Sequence, residues 1–291
     1  MSYDISTNIN AESKLSREHI EPSFLIIGAQ KAGTTALWTY LSYHPDLIAP
    51  NTKEIDFFSC NSRYSRGIQF YLSHFPTIDA NIINKMTFEA SPDYLYSCSL
   101  AAPRIYDYDS RIKLIVLLRD PIKRAFSAWQ MYRRYYQHNK SVWFYDWVAR
   151  CNSNIDSNAY VSRSKEFGQS FVDDCLEELK VIETGRTIEM SVLEHGIYCN
   201  QLQQYFNYFS KRQIFIETSE NFKIRSKETL EKIAKFIEIG NYCWIEKELA
   251  PVFVGQYKEV LPNKAVEILG TFYKKYNQKL YALLEQEFNW L

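Results

Sequence analysis

The stretch that most limits what this chain can fold into is Phe24-Leu-Ile-Ile-Gly28-Ala29-Gln30-Lys31-Ala32-Gly33-Thr34-Thr35, followed by Ala36-Leu-Trp-Thr-Tyr-Leu41. An apolar run of strand length that enters a glycine-bracketed loop and then a helical pattern presents backbone N–H groups and a helix N-terminus to an anion such as phosphate. The stretch therefore reads as a strand, a phosphate cradle and a helix. The interval from Gly28 to Gly33 is that of a P-loop, but the usual Gly-Lys-Ser/Thr ending is absent: Thr34 follows the second glycine, and the lysine sits inside the loop at Lys31.

Further along, Ile112-Lys-Leu-Ile-Val-Leu-Leu118 is the clearest strand, aliphatic enough to be covered on both faces of a parallel sheet. It runs into Arg119-Asp120-Pro121, where Asp120 is a suitable N-cap and Pro121 a suitable first helical residue. In the helix that follows, Ile122, Ala125, Phe126 and Trp129 recur at helical spacing, which leaves Arg124 and Ser127 exposed on other parts of the circumference. Met86 to Glu89 and Gln213 to Glu217 read as shorter strands, residues 64 to 75 as one short helix, and residues 226 to 238 and 264 to 287 as longer helices. Between about 130 and 190 the pattern loosens into an aromatic-rich insertion, helical in pieces such as Phe171 to Ile182, with no strand. Strands alternating with helices predict an α/β fold: a three-layer parallel sheet with ligand at the carboxyl ends of its strands.

At 291 residues the chain can bury one substantial core, and no linker or repeat divides it. The expectation is a flexible leader at 1–21 and a single domain at 22–291. That leader is polar, without a targeting segment or a run of membrane length. The formal net charge of zero argues against a generic nucleic-acid binder, so any anion site must be local. Six scattered cysteines without metal-ligand spacing read as reduced thiols of a cytoplasmic protein. Aromatic residues make up 16%, enough to line clefts that stack on a flat ligand.

A nucleotide-hydrolysing P-loop needs its lysine on the β- and γ-phosphates, a hydroxyl on Mg²⁺ and a second carboxylate for the metal. Here Lys31 precedes the second glycine by two residues, and the aliphatic strand ends in Leu118-Arg119 where that carboxylate would stand. What remains is a cradle of backbone amides, one lysine, two threonine hydroxyls and an arginine from a second strand. Such a set suits a nucleotide whose reacting group needs no metal ion.

Phe24 to Thr35, taken with Arg119-Asp-Pro-Ile-Lys-Arg-Ala-Phe-Ser127, resembles the paired signatures of sulfotransferases that use 3′-phosphoadenosine 5′-phosphosulfate, PAPS. Lys53-Glu54 before Phe57-Phe58, Glu89-Ala-Ser-Pro-Asp-Tyr94, Gly196-Ile-Tyr198 and Phe288-Asn-Trp290 are similar to the branch that holds heparan sulfate sulfotransferases and bacterial relatives. The likeness covers roughly residues 22 to 291 and is weakest between 130 and 190.

This resemblance implies a P-loop-like nucleotide-binding fold and sulfuryl transfer to an acceptor hydroxyl, with 3′,5′-phosphoadenosine (PAP) as product and no metal. Glu54 takes the place of the general base, and Lys31 that of the group which stabilises charge on the sulfuryl group and bridging oxygen. Ala32, Gly33, Thr34 and Thr35 match the 5′-phosphate loop, Arg119 and Ser127 the 3′-phosphate site. Two departures stand out. Ala90 replaces a lysine of the family's Glu-Lys-Ser-Pro motif, and a late disulfide with a Lys-Gly-Arg loop gives way to Phe253-Val-Gly-Gln-Tyr-Lys258, where Lys258 takes over part of the cover on the nucleotide. Both departures, with the neutral net charge, weaken the case for a polysulfated glycan, and the aromatic insertion suggests instead a smaller, partly apolar hydroxylated acceptor, with lipid-linked groups and glycans also considered. The competing readings are a P-loop kinase or NTPase and a catalytically silent nucleotide-binding protein. Glu89 reads as orienting Lys31 or the acceptor, or as structural support, and His195 and His138 stand as alternative bases. Oligomeric state is left open.

Overall fold

The computed structural model describes residues 18–79, 82, 84–137, 160–252 and 259–290. In chain order the elements are β1 (Pro22–Gly28), α1 (Thr34–Leu41), β2 (Leu47–Ile48), α2 (Asn61–Tyr64), α3 (Ile68–Leu72), β3 (Met86–Ala90), α4 (Asp93–Tyr96), α5 (Cys98–Tyr108) and β4 (Lys113–Leu118). There follow α6 (Pro121–Gln137), β5 (Tyr160–Val161), α7 (Phe171–Glu183), β6 (Thr187–Ile188), α8 (Tyr198–Phe206), β7 (Ile214–Thr218), α9 (Ser219–Ile224), α10 (Ser226–Ile237) and α11 (Asn263–Leu284).

The aliphatic runs become a central five-stranded sheet in the order β2-β3-β1-β4-β7, every neighbouring pair parallel, with helices flanking it. Phe24 to Ile27 and Leu114 to Leu118 are all wholly buried, as expected of strands covered on both faces. From β1 the chain builds β2 and β3 on one side, then crosses to β4 on the other. That reversal opens a crevice at the carboxyl ends of β1 and β4, the position where open α/β sheets take their ligands.

Several local readings need correction. Residues 64 to 75 form no single helix: α2 and α3 are separated at Gly67, whose φ of 81° suits a residue without a Cβ. The 130 to 190 insertion does contain strands, the paired β5 and β6, each two residues long and so too short to show a period of two in sequence. Arg124 is not on the exposed circumference of α6 but wholly buried. At the other end of the chain, His19 bridges antiparallel to Thr77, Ile20 N–H donates to the Pro76 carbonyl at 2.9 Å and Ile78 N–H to that of Glu18 at 2.8 Å. The main chain is thus held from residue 18, inside the stretch read as leader.

The described part of the insertion is fastened by buried polar groups. Arg163 and Glu178, both with side chains 0% exposed, pair at 2.5 Å. Glu178 also accepts the Ser191 hydroxyl at 2.6 Å and the N–H groups of Val192 and Leu193 at 3.0 and 2.7 Å. It thereby shapes the 191–194 turn that precedes α8. Trp129 on α6 donates to Asp174 on α7 at 2.7 Å. Among the described residues no helix is long and apolar enough to cross a membrane.

Candidate active site

The loop after β1 is formed by two glycines with different duties. A Cβ at Gly28 would stand 2.5 Å from Leu95 Cβ, so only glycine lets α4 pack this close. Gly33 takes φ 98° and caps α1, and Leu37 N–H donates to its carbonyl in the first intrahelical bond. The amides of Thr34, Thr35 and Ala36 therefore have no acceptor within the helix and present the positive end of its dipole to the loop. Ala32 and Thr34 are buried, while Thr35 is half-buried.

The neighbouring strand and helix brace this loop. Ala29 N–H donates to the Leu117 carbonyl at 2.7 Å, and the Tyr132 hydroxyl to Gln30 Oε1 at 2.7 Å. Across the crevice, the Arg119 guanidinium donates to the Lys31 carbonyl at 2.8 Å. Lys31 Nζ lies 3.5 Å from Met131 Sδ on α6. Ser127 is four residues before Met131, so it lies one turn away on the same helix face, where it is half-buried. Asp120 caps α6 by accepting the N–H groups of Ile122 and Lys123 at 2.9 and 3.2 Å, as the sequence suggests.

Cations crowd this corner. Burial and then the charge of Arg119 bring the Lys31 ammonium down to about 8, against the opposing pull of Glu54, with Arg124 and Lys53 adding smaller repulsions. Burial also lowers Arg119, which Glu220 counteracts. Arg124 donates through Nη2 to the Val192 carbonyl, while its buried Nε and Nη1 find no hydrogen-bond partner among the described residues. Lys31, Arg119 and Arg124 repel one another here, and such a gathering of cations raises the local potential in favour of an anion. The interior of α6 hid Arg124 from sequence reading. Its one signal is position, on a helix line with Pro121 and Ala128, both buried.

Glu54 faces the cradle from the chain after β2. Its N–H donates to the Ala90 carbonyl at 3.1 Å, and its carbonyl accepts from Arg63 at 3.2 Å. The Glu54 carboxylate meets Lys53 Nζ at 2.5 Å and is 44% exposed, open to an incoming molecule. The structure thus brings Lys31, Glu54 and Arg119 into one cluster. It places His195 elsewhere: that ring is buried, stacked on Tyr96 at 3.6 Å between centroids, and held well below the usual imidazole range by burial and then by Arg124. Glu89 bonds to Tyr71, Ser91 and Tyr94 and makes no contact with Lys31. Lys258 and His138 lie outside the described residues.

A profile of the family described as "Sulfotransferase domain" matches residues 21–253. The membrane-associated sulfotransferase kil1 of Dictyostelium discoideum is 26% identical over 92% of this chain and 66% of its own length. The bifunctional heparan sulfate N-deacetylase/N-sulfotransferase 4 of Mus musculus is 29% identical over 91% of this chain. This chain spans only 30% of that bifunctional protein. Among solved structures, a sulfotransferase from Alicyclobacillus acidocaldarius superposes with a TM-score of 0.64 at 23% identity, over 92% of this chain and 97% of that one, and so shares the fold.

Proposed function

This chain belongs to the sulfotransferase domain family, and from that premise we propose that it transfers a sulfuryl group from PAPS to an acceptor hydroxyl, with Glu54 as general base. The observation that carries this reading is the bond from Arg119 to the Lys31 carbonyl across the β1/β4 crevice, beside the N-terminus of α1 at Gly33. A donor with phosphates at both ends of a ribose needs two anion sites a short distance apart, and the crevice offers a helix N-terminus on one side and an arginine on the other. Ala32, Gly33, Thr34 and Thr35 hold the 5′-phosphate, Arg119 and Ser127 the 3′-phosphate, and Lys258 is assigned to cover the nucleotide. No residue of this set requires a metal.

When bound, the donor supplies the sulfuryl group and leaves as PAP. Glu54 accepts the acceptor's proton on the carboxylate oxygen that Lys53 does not hold, as the acceptor oxygen bonds to sulfur and the bond to the 5′-phosphate oxygen breaks. Lys31, positioned by Arg119 and α6, offsets charge that gathers on the leaving oxygen. A cavity lined by Phe57, Phe58, Tyr64, Ile68 and Tyr108, with Arg104 and Asp107 also on its wall, involves the chain that follows Glu54; an acceptor both partly apolar and polar suits such a lining.

Calorimetric titration with PAP, AMP and ATP in the absence of metal tests the donor assignment. PAP is expected to bind far more tightly than AMP, and Arg119→Ala to erase most of that preference; equal binding of PAP and AMP would refute it. With PAPS and either 2-naphthol or a heparan oligosaccharide as acceptor, Glu54→Gln should lower kcat by about 10²–10⁴-fold and leave PAP affinity nearly unchanged.

A further inference from the structure

Glu89 closes β3 with a side chain that is 0% exposed. A carboxylate in such a place needs donors on its oxygens. It has them: the Tyr71 hydroxyl at 2.8 Å, the Ser91 hydroxyl at 2.5 Å, and the Tyr94 hydroxyl at 2.8 and 3.0 Å from its two oxygens. Burial raises its pKa, and these same three donors oppose the rise.

Two of the donors connect onward to one segment. Ser91 Oγ accepts the N–H of Asp56 at 3.0 Å, while Tyr94 Oη accepts the N–H groups of Phe57 and Phe58 at 3.0 and 3.4 Å. A hydroxyl has a single proton, so a hydroxyl that donates to Glu89 keeps only lone pairs for other partners. Glu89 thereby fixes the polarity of both hydroxyls as acceptors for the backbone of residues 56–58. That backbone needs holding, because Glu54 and Asp56 have φ of 64° and 50°, values that residues with a Cβ adopt at a cost.

We propose that Glu89 is a positioning residue: acting through Ser91 and Tyr94, it holds the segment from Lys53 to Phe58 in the conformation that presents Glu54 to the acceptor. The catalytic half of this inference rests on Glu54 being the base; the structural half does not. A leucine at position 89 keeps most of the bulk and offers no acceptor. The Ser91 and Tyr94 hydroxyls then lose the oxygen that turns their protons away from the amides of residues 56–58. Because none of these bonds involves the phosphate cradle, the loss falls on turnover and not on nucleotide binding.

The full chain is examined as Glu89→Leu, and as Ser91→Ala and Tyr94→Phe, which keep the carboxylate and the packing should Glu89→Leu fail to fold. Hydrogen exchange at the amides of residues 56–58 should quicken about tenfold or more while β1 and β4 keep their rates. With PAPS and 2-naphthol, kcat should fall about tenfold or more with PAP affinity within about twofold, and Tyr94→Phe should add less than about twofold to the loss in a Glu54→Gln background. Unchanged exchange at 56–58, or faster exchange across the whole sheet together with weakened PAP binding, overturns the proposal. So does a Tyr94→Phe loss that is fully additive to Glu54→Gln. If Glu54→Gln retains full turnover, the base assignment and the catalytic half fall together, while exchange at 56–58 still decides whether Glu89 holds the segment.

Discussion

A lysine displaced to about 8 by burial and by Arg119 is half neutral at that pH, so in the role proposed for Lys31 donor binding should take up a proton. Phosphate favours the ammonium, hence PAP affinity should be flat below about pH 8 and fall by up to about tenfold per pH unit above it, until the pKa of the complex is reached. Isothermal titration across pH 6.5 to about 9.5 checks this, and Lys31→Arg, which stays charged, should flatten the profile. In the donor-free protein the sign reverses. A lowered lysine costs stability wherever it is protonated, so the cost is complete below about 8 and is relieved as pH rises toward the ordinary 10.5. Lys31 and Arg119 were legible in the sequence because each sits where a strand turns into a helix, a junction that local pattern reveals. Arg124 was not, because a charged residue on a helix reads as solvated unless the packing around that helix is known.

Elements in this protein are fixed as much by buried polar contacts as by apolar faces. On α7, Glu178 satisfies Arg163, Ser191 and two backbone amides with no exposure to water. Removing one partner of such a pair strands the other charge, so Glu178→Ala should destabilise the fold by about 3–5 kcal/mol, read as a lower midpoint in urea with an unchanged slope. At the β1 turn the expected damage is steric. Gly28→Ala drives a methyl group against Leu95 and should cost about 1–3 kcal/mol and weaken PAP binding together, since both depend on how α4 seats the loop. Long elements announced themselves: α10 and α11 carry apolar residues at helical spacing and end within three residues of where the sequence places them. The pair β5 and β6 did not, since two residues hold no periodicity, and neither did the Arg163–Glu178 pairing, which joins positions that no local pattern connects.

At the scale of the whole molecule, strand order decides function, for it is the crossing from β3 to β4 that sets Gly28 to Thr35 beside Arg119. A ligand spanning that crevice ties β1 to β4 and binds only the folded chain. PAP at a hundred times its Kd should therefore add about 2.7 kcal/mol of stability, seen as a rise in Tm that AMP gives weakly and that Arg119→Ala abolishes. The way the chain enters the sheet has a practical consequence. Residues 18–20 are stitched to 76–78 just ahead of β1, at the opposite end of that strand from the phosphate loop. A surface, bead or fused partner joined directly at residue 18 would therefore attach at the far rim of the sheet, the end of β1 away from the crevice.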